Sequence, residues 1–572
     1  MTRLYASRLS SPDTDRSALP PPSKQGRYDS PGLAPTLSLV VGCPGASVMS
    51  LPDDILLLII SFVGVNDIVA LRMTSKRFAA VSNLRWVWSD ALKRHVIDRN
   101  IPIPGYPGDL KSLSSKDLEI RALHATRFQE NWCSNRPRTK RCFQFNVDDS
   151  DDADANAAGA SLTREHPAPV SHVLFVPGSN GELIITVSGT SCITCWEVPL
   201  SGSESFIVAE SKMPKNHIID GIAVNTDPKS EGLLAVTWIV PSPTTTGAIQ
   251  SGTIEMWMLD RFHGRFVTIN SRQSPHRFSP LHGLHGDWLI LADPVANWHW
   301  RKGLFYVLNW GNIHQSPAPD GVLCTKFVRG YLLIIRQSHI HLLPLHHLLH
   351  PDSKTKPQPE LMTGAYLHMP GVGDAAVIVE HKLSEAEEAE WMFNPVSILM
   401  RISEGGFDVI RKYDLIPRPV LPDSEREGSG DDAGGAALAQ TPCNFMPSQT
   451  WPVAPSCTNL IVGENGKGLW TETRNITTSQ STYPARCMIG FDLNAELVRP
   501  PPATTGGKNE HPSRGYWKFN FVVREREMYA ARVGMGEVAR RQYRITTSAL
   551  EDTVGRIALG SRDGKVEVVD LV

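Results

Sequence analysis

The chain has almost no net charge: 57 Lys and Arg stand against 59 Asp and Glu, giving −2 with histidine neutral. Binding to nucleic acid or to an anionic membrane through an overall field needs a clear basic excess, so neither is expected as a partner. No long apolar run is present that would span a bilayer. The run from Ile55 to Val63 is only about ten residues, follows Asp53 and Asp54, and falls well short of the ~20 needed. Cysteine is sparse, nine in 572 residues at irregular spacing. The opening residues lack the charged, apolar and small-residue order of a signal peptide, so the thiols are expected to be reduced, in the cytoplasm and/or nucleus. Asn475-Ile476-Thr477 fits a glycosylation sequon and would stay unmodified there. Also missing are a Gly-rich phosphate loop ending in Lys-Ser/Thr, a G-x-S-x-G elbow and an H-E-x-x-H helix. No catalytic residues, cofactor or metal are therefore assigned.

What is present is an ordinary 41% of hydrophobic residues in a chain long enough for two to four domains. Residues 1–48 are rich in Ser, Pro and Gly, cannot bury enough to offset their ordering entropy, and are expected to be disordered. From Met49 to His95 the pattern turns helical. A first helix has Ser50 placed to cap it, Asp53 in a capping-box position and Pro52 in its first turn, and it ends at Gly64. Its apolar residues Ile55, Leu56, Leu57, Leu58, Ile59, Ile60, Phe62 and Val63 go all the way round the turn, so it must be covered on two sides. A second helix, roughly Asn66 to Met73, is expected to use Asn66 as N-cap, and a third runs from near Ser75 to Leu84, followed by Trp86, Val87 and Trp88. A unit of about forty-five residues cannot absorb this many large apolar side chains in its own core, and the surplus points to a partner.

The residues Leu51, Pro52, Asp54, Ile55, Leu56, Ile59, Asp67, Ile68, Leu71, Lys76, Arg77, Phe78, Val87 and Trp88 resemble an F-box, the module by which substrate receptors dock on the Skp adaptor of Skp/cullin/F-box ubiquitin ligases. Val63, where the family usually has leucine, and Met73-Thr74-Ser75, in place of a valine-cysteine turn, depart from the pattern. The resemblance implies that Leu51, Pro52, Ile55, Leu56, Ile59, Ile68, Leu71, Phe78 and Trp88 form the adaptor-binding surface, with Leu51, Pro52, Ile55, Leu56 and Ile59 at its centre.

Residues 96–138 read as a connector, broken at first by Ile101 to Gly108 and helical from Leu118 to Trp132. A basic knot, Arg136 to Arg141, and an acidic run, Asp148 to Asp154, read as a solvated linker that extends to about residue 170. Period-two apolar runs then continue to the last residue. The clearest are Glu182 to Val198, Gly232 to Leu259, Tyr331 to Leu345, Asn459 to Thr473 and Gly555 to Val572, most of them strand, turn and strand. Their recurrence over some four hundred residues suggests blades repeated around an axis. Gly560 to Asp570 and Ser251 to Trp257 resemble degenerate WD-repeat ends, with Val569 in the place of the tryptophan that Trp257 keeps. The expected fold is thus α+β and multidomain: a small helical F-box (49–95), then an all-β propeller (139–572) of about seven blades with loop insertions near 352–359 and 422–440. The last blade would lack an outer strand, and Lys140 to Val147, which alternates Phe143, Phe145 and Val147 with polar residues, is expected to pair antiparallel with Lys565 to Leu571 and close the ring.

Within the propeller, Cys192-x-x-Cys195 would put its thiols on opposite faces of a strand, unsuited to a metal or redox pair. His339, His341, His346, His347 and His350 are dense, but no Cys or Glu ligand pattern accompanies them. Trp288, Trp298, Trp300 and Trp310 are read as packing between blades. Arg524, Arg526, Arg532, Arg540, Arg541 and Arg544 could pair with phosphates but alternate with Glu525, Glu527 and Glu537, as surface strands do. The expected function is a non-catalytic substrate receptor, its F-box bound to the Skp adaptor and through it to a cullin, its propeller bound to a protein substrate that the sequence does not name. The alternatives are a propeller enzyme, or a scaffold outside any ligase, with the F-box as an interaction handle.

Overall fold

The computed structural model describes residues 48, 51–105, 109–134, 137–147, 168–189, 191–214, 216–242, 249–292, 295–307, 320–345, 365–369, 372–383, 385–404, 407–420, 443–453, 457–477, 482–498, 516–530 and 545–572. It falls into two units, Met1–Pro52 and Asp53–Val572. The first is described only at Val48, Leu51 and Pro52, so the expected disorder of residues 1–48 and the Ser50 cap lie outside the described residues. The linker 148–167 and both expected insertions lie outside them too.

In the second unit four helices precede the connector where three were expected: α1 (Asp53–Ser61), α2 (Val65–Arg72), α3 (Lys76–Ser82) and α4 (Arg85–His95). Helix α1 stops before Gly64, its last turn tightening through Phe62 N–H to Ile59 O (3.1 Å) and Val63 N–H to Ile60 O (3.0 Å). Gly64, expected to end the first helix, instead stands as N-cap of α2, with extended backbone and no side-chain cap. Asn66, the expected cap, lies one residue inside that helix, and its amide donates to both Glu130 carboxylate oxygens (2.8 and 3.0 Å). Ser75 caps α3 by accepting from Phe78 N–H (3.2 Å). The unforeseen helix, α4, carries Trp86, Val87 and Trp88.

The connector contains α5 (Ser115–Cys133), opened by a reciprocal capping box between Ser114 and Asp117. Its face toward helices α2 and α4 is tied by Arg72, whose guanidinium donates to Glu119 (2.7 and 3.1 Å) and lies 5.5 Å from the Trp88 ring.

Beyond it, seven four-stranded antiparallel sheets follow among the described residues. Six are built from consecutive strands, within residues 170–212, 218–274, 281–307, 322–368, 372–452 and 458–530, numbered here as blades one to six. The seventh takes three strands from residues 545–570 and its outer strand, Arg141–Asn146, from ahead of the first blade. That strand runs antiparallel to Lys565–Asp570 with Arg141 opposite Asp570 and Asn146 opposite Lys565, as expected. Phe143, Phe145 and Val147 pack with Val566, Val568 and Trp196, so the alternation that marks the strand also joins the seventh blade to the first. Arg556, with no exposed surface, finishes this junction. It forms two hydrogen bonds to the Asp570 carboxylate (2.6 and 3.1 Å) and donates to the carbonyls of Gly181 (2.9 Å) and Val198 (2.6 Å) in the first blade.

Candidate functional site

Helix α1 is apolar on two faces, and the fold covers one. Leu56 and Ile60, one turn apart, are buried. Ile55, Leu58, Ile59 and Phe62 stand at i, i+3, i+4 and i+7, a single stripe, and are 38, 54, 38 and 76% exposed. An ion pair of Arg77 with Asp53 (2.6 Å) ties the start of this helix to α3.

The residues expected to bind a partner thus divide by position. Ile55 and Ile59 are exposed, Leu71 is half-buried, and in the first unit Pro52 is exposed and Leu51 half-buried. Leu56, Ile68, Phe78 and Trp88 have 8% or less of their surface exposed and make up the core of the helical module. Leu58 and Phe62, which sequence reasoning did not single out, complete the stripe. The signal was available as an i, i+3, i+4, i+7 series, but the second such face, running through Leu56 and Ile60, competes with it.

The propeller's chemistry-bearing residues are engaged in packing. Cys195 lies in the core shared by blades one and two, and burial pushes its thiol up to about 12. Cys192 points to the other side, toward Thr194 and Glu210, and burial takes it up to about 11. His339 bonds to the Asp320 carboxylate (2.7 Å). Burial pushes that carboxyl up, but the hydrogen bonds from His339 and Ser338 outweigh it and hold the group below its ordinary range. His346, His347, His350 and Trp310 are outside the described residues, as are Arg532, Arg540, Arg541 and Arg544. Trp298 and Trp300 pack with Ala235, Ile254 and Met256 of the preceding blade, the inter-blade role expected for them.

One buried cluster has the residue types of a hydrolase. Ser397 donates to Asp414 (2.8 Å) and lies 2.9 Å from His381 Nε2, while Lys412 pairs with Asp414 (2.6 Å). The carboxylate faces the serine and not the imidazole, and Ser397 has no exposed surface, so a substrate has no approach to it. Burial, with Lys412 and Lys326 nearby, takes His381 down to about 3 and keeps the ring neutral. This cluster fixes the interior of the fifth blade. A hollow of about 230 Å3 is lined by Val176, Leu183, Glu182, Glu197 and Arg261, where Glu197 pairs with Arg261 and Glu182 accepts from Leu200 N–H.

Residues 48–90 match the family model described as F-box domain. Among solved structures, the chain is similar to the crystal structure of the WD40 domain of SCAP from fission yeast. The identity is 8% over 70% of this chain and 82% of that one, with a TM-score of 0.35. No curated protein matches. No helix among the described residues is long and apolar enough to cross a membrane. The chain carries an F-box domain at residues 48–90, followed by a seven-bladed β-propeller.

Proposed function

We propose that this chain is the substrate-receptor subunit of a Skp/cullin/F-box ubiquitin ligase. The observation that carries the reading is the bare stripe of Ile55, Leu58 and Ile59 on α1 and Phe62 in the turn that ends it, all inside the F-box match. A contiguous apolar face of this kind on a folded chain marks an interaction site. Ile55, Ile59, Leu58 and Phe62, with Leu51 and Pro52 at the helix start, make the direct contacts with the Skp adaptor. Leu56, Ile68, Leu71, Phe78 and Trp88 hold that surface in shape. The adaptor links the chain to a cullin, and the propeller holds a protein substrate. The chain itself performs no chemistry. It contributes proximity, raising the effective concentration of substrate beside a charged ubiquitin-conjugating enzyme. Affinity capture of the full chain tests this: adaptor and cullin recovered together support the receptor role, adaptor without cullin would make it a scaffold outside a ligase, and loss of both would overturn the reading.

A further inference from the structure

Phe128 and Trp132, one turn apart on α5, have no exposed surface. They belong to a single apolar cluster with Leu469 and Met488 of the sixth blade and Ile557, Leu559, Val569 and Leu571 of the seventh blade and its C-terminal end. The rings meet edge to face at 5.7 Å. The Lys467 ammonium lies 5.6 Å from the Phe128 centroid and 5.5 Å from that of Trp132, held by Gln129 Oε1 (2.7 Å) and Asp492 (3.0 Å). A cation bound to both rings and to a buried carboxylate is well placed for cation–π attraction. Gly555 has φ +73°, and a Cβ there would come within 2.6 Å of the Phe128 ring, so the seventh blade is shaped to admit that ring. Asn131 donates to the carbonyls of Leu571 (2.6 Å) and Arg138 (2.8 Å) and accepts from Arg138 N–H (2.8 Å). It thereby ties the last strand to the chain about to enter the closing strand.

These contacts sit on the junction of blades six and seven, whereas Arg141–Asn146 and Arg556 hold the junction of seven and one. Chain that precedes the first blade therefore grips the seventh on both flanks. We infer that α5 is a keystone of the ring: the seating of Phe128 and Trp132 controls how often the seventh blade opens, so ring closure is coupled to the helix on which the F-box module packs. Within the seventh blade, Arg141–Asn146 and Lys565–Asp570 are not consecutive in the chain and meet only through their ladder and side-chain contacts, so this blade can open without breaking a covalent bond. Two buried aromatic side chains, on the order of 150–250 Å2 each, are a large share of the contacts that hold it. The opposite side of α5 receives Arg72 and Asn66 of α2, through Glu119 and Glu130, so the helix is held from both directions.

Amide hydrogen exchange on the full chain tests this, comparing it with Trp132→Ala, Phe128→Leu and Asn131→Ala. For the two ring variants, protection in Ile545–Glu551, Arg556–Ser561 and Lys565–Asp570 is expected to fall at least tenfold, with Trp288–Leu291 and Ala296–His299 of the third blade unchanged. A rise in exchange confined to α5, or spread evenly over all blades, would overturn the inference. Asn131→Ala leaves the rings seated and covers the case in which Trp132→Ala does not fold. It is expected to raise exchange in Lys565–Asp570 and Arg141–Asn146 by less than the ring variants do, and a rise as large as theirs would sink the idea, since the opening would then not depend on the rings. Adaptor binding does not enter the readout, so the outcome is separate from that of the receptor assignment.

Discussion

Helices α1 and α5 both carry more apolar surface than a helix on a small module can hide, and they dispose of it in opposite ways. The aromatic face of α5 disappears between two blades, with Phe128 and Trp132 fully covered, while the outer face of α1 stays bare up to 76% at Phe62. Apolar content alone does not separate the two cases. What separates them is whether the rest of the chain supplies a complementary surface: for α5 the sixth and seventh blades do, and for α1 only Leu56 and Ile60 are taken up. A face that the chain forms and then leaves uncovered is the stronger pointer to a second molecule.

Breaking the covered side should cost the most. Asp570→Ala leaves the Arg556 guanidinium buried without its carboxylate at the ring junction, a loss of about 3–5 kcal/mol, because an uncompensated charge is stranded in the interior. A large fall in the thermal midpoint of the full chain is the expected outcome, and a midpoint within a degree or two of the parent would show that the junction does not rely on this pair. On the bare side the expected effect falls on binding. Replacing Ile55 and Ile59 together by Asp removes two anchors of the stripe, each worth roughly 2 kcal/mol if central to an interface. The folded chain should lose adaptor binding with a change in stability near the ±0.5 kcal/mol usual for surface substitutions. Retained binding in a protein shown to be folded would remove the F-box docking role. Leu56, being buried, is a poor target for the same test, since its replacement would perturb the module's core.

The parts of the fold that could be read in the sequence are those whose burial is one-sided or complete over a short span. Leu183–Ser188, buried at every position, and Cys192–Glu197 beside it showed as a hairpin. The outer strands did not: Cys443–Pro452 is exposed along most of its length, and its sequence carries no alternation to find. The closing strand was legible because Phe143 and Phe145 alternate with polar residues and face the first blade. Arg556 and Lys467 could not be distinguished from ordinary basic residues, because their burial is created by partners 14 and 25 residues away and by the docking of α5. On the F-box, the stripe's residue types were plain, but which of two apolar faces would be covered depended on α4, a helix the sequence reading did not separate from its neighbours.

The covered junction also predicts a pH dependence. Asp552, in the turn between the first two strands of the seventh blade, accepts from Asn465 N–H (2.8 Å), Asn465 Nδ2 (3.0 Å) and Lys467 N–H (3.3 Å). Burial pushes its carboxyl up to about 6 against the Asn465 hydrogen bonds, with Glu551 adding to the rise. The folded state thus holds this proton more tightly than the unfolded state does, so its contribution is fully present below the ordinary value of 3.8 and is lost as pH rises through about 6. Asp552→Asn does not titrate. The stability of the parent minus that of the variant should therefore decline between pH 4 and pH 7 and then level off in denaturant titrations, and a difference that is flat or rises with pH would contradict the assignment.

The smallest effect separates two residues of the helical module that look alike as sequence. Asn66 and Ser75 both stand where a helix start is expected, and both are good capping types. Only Ser75 caps, its hydroxyl accepting from Phe78 N–H (3.2 Å), while Asn66 lies inside α2 and reaches Glu130 on α5. Ser75→Ala should cost about 1 kcal/mol, the usual loss of an N-cap, because a donor at the start of α3 is left for water to satisfy. Asn66→Ala removes an exposed side-chain hydrogen bond and no cap, and alanine is the better residue inside a helix, so its net cost should be well under about 0.5 kcal/mol. The same substitution in a Glu130→Ala background would refine this, since the part of the penalty that disappears there measures the tie between α2 and α5. An Asn66→Ala penalty equal to that of Ser75→Ala would mean that α2 does start at Asn66 in solution, one turn of the module folded otherwise than described.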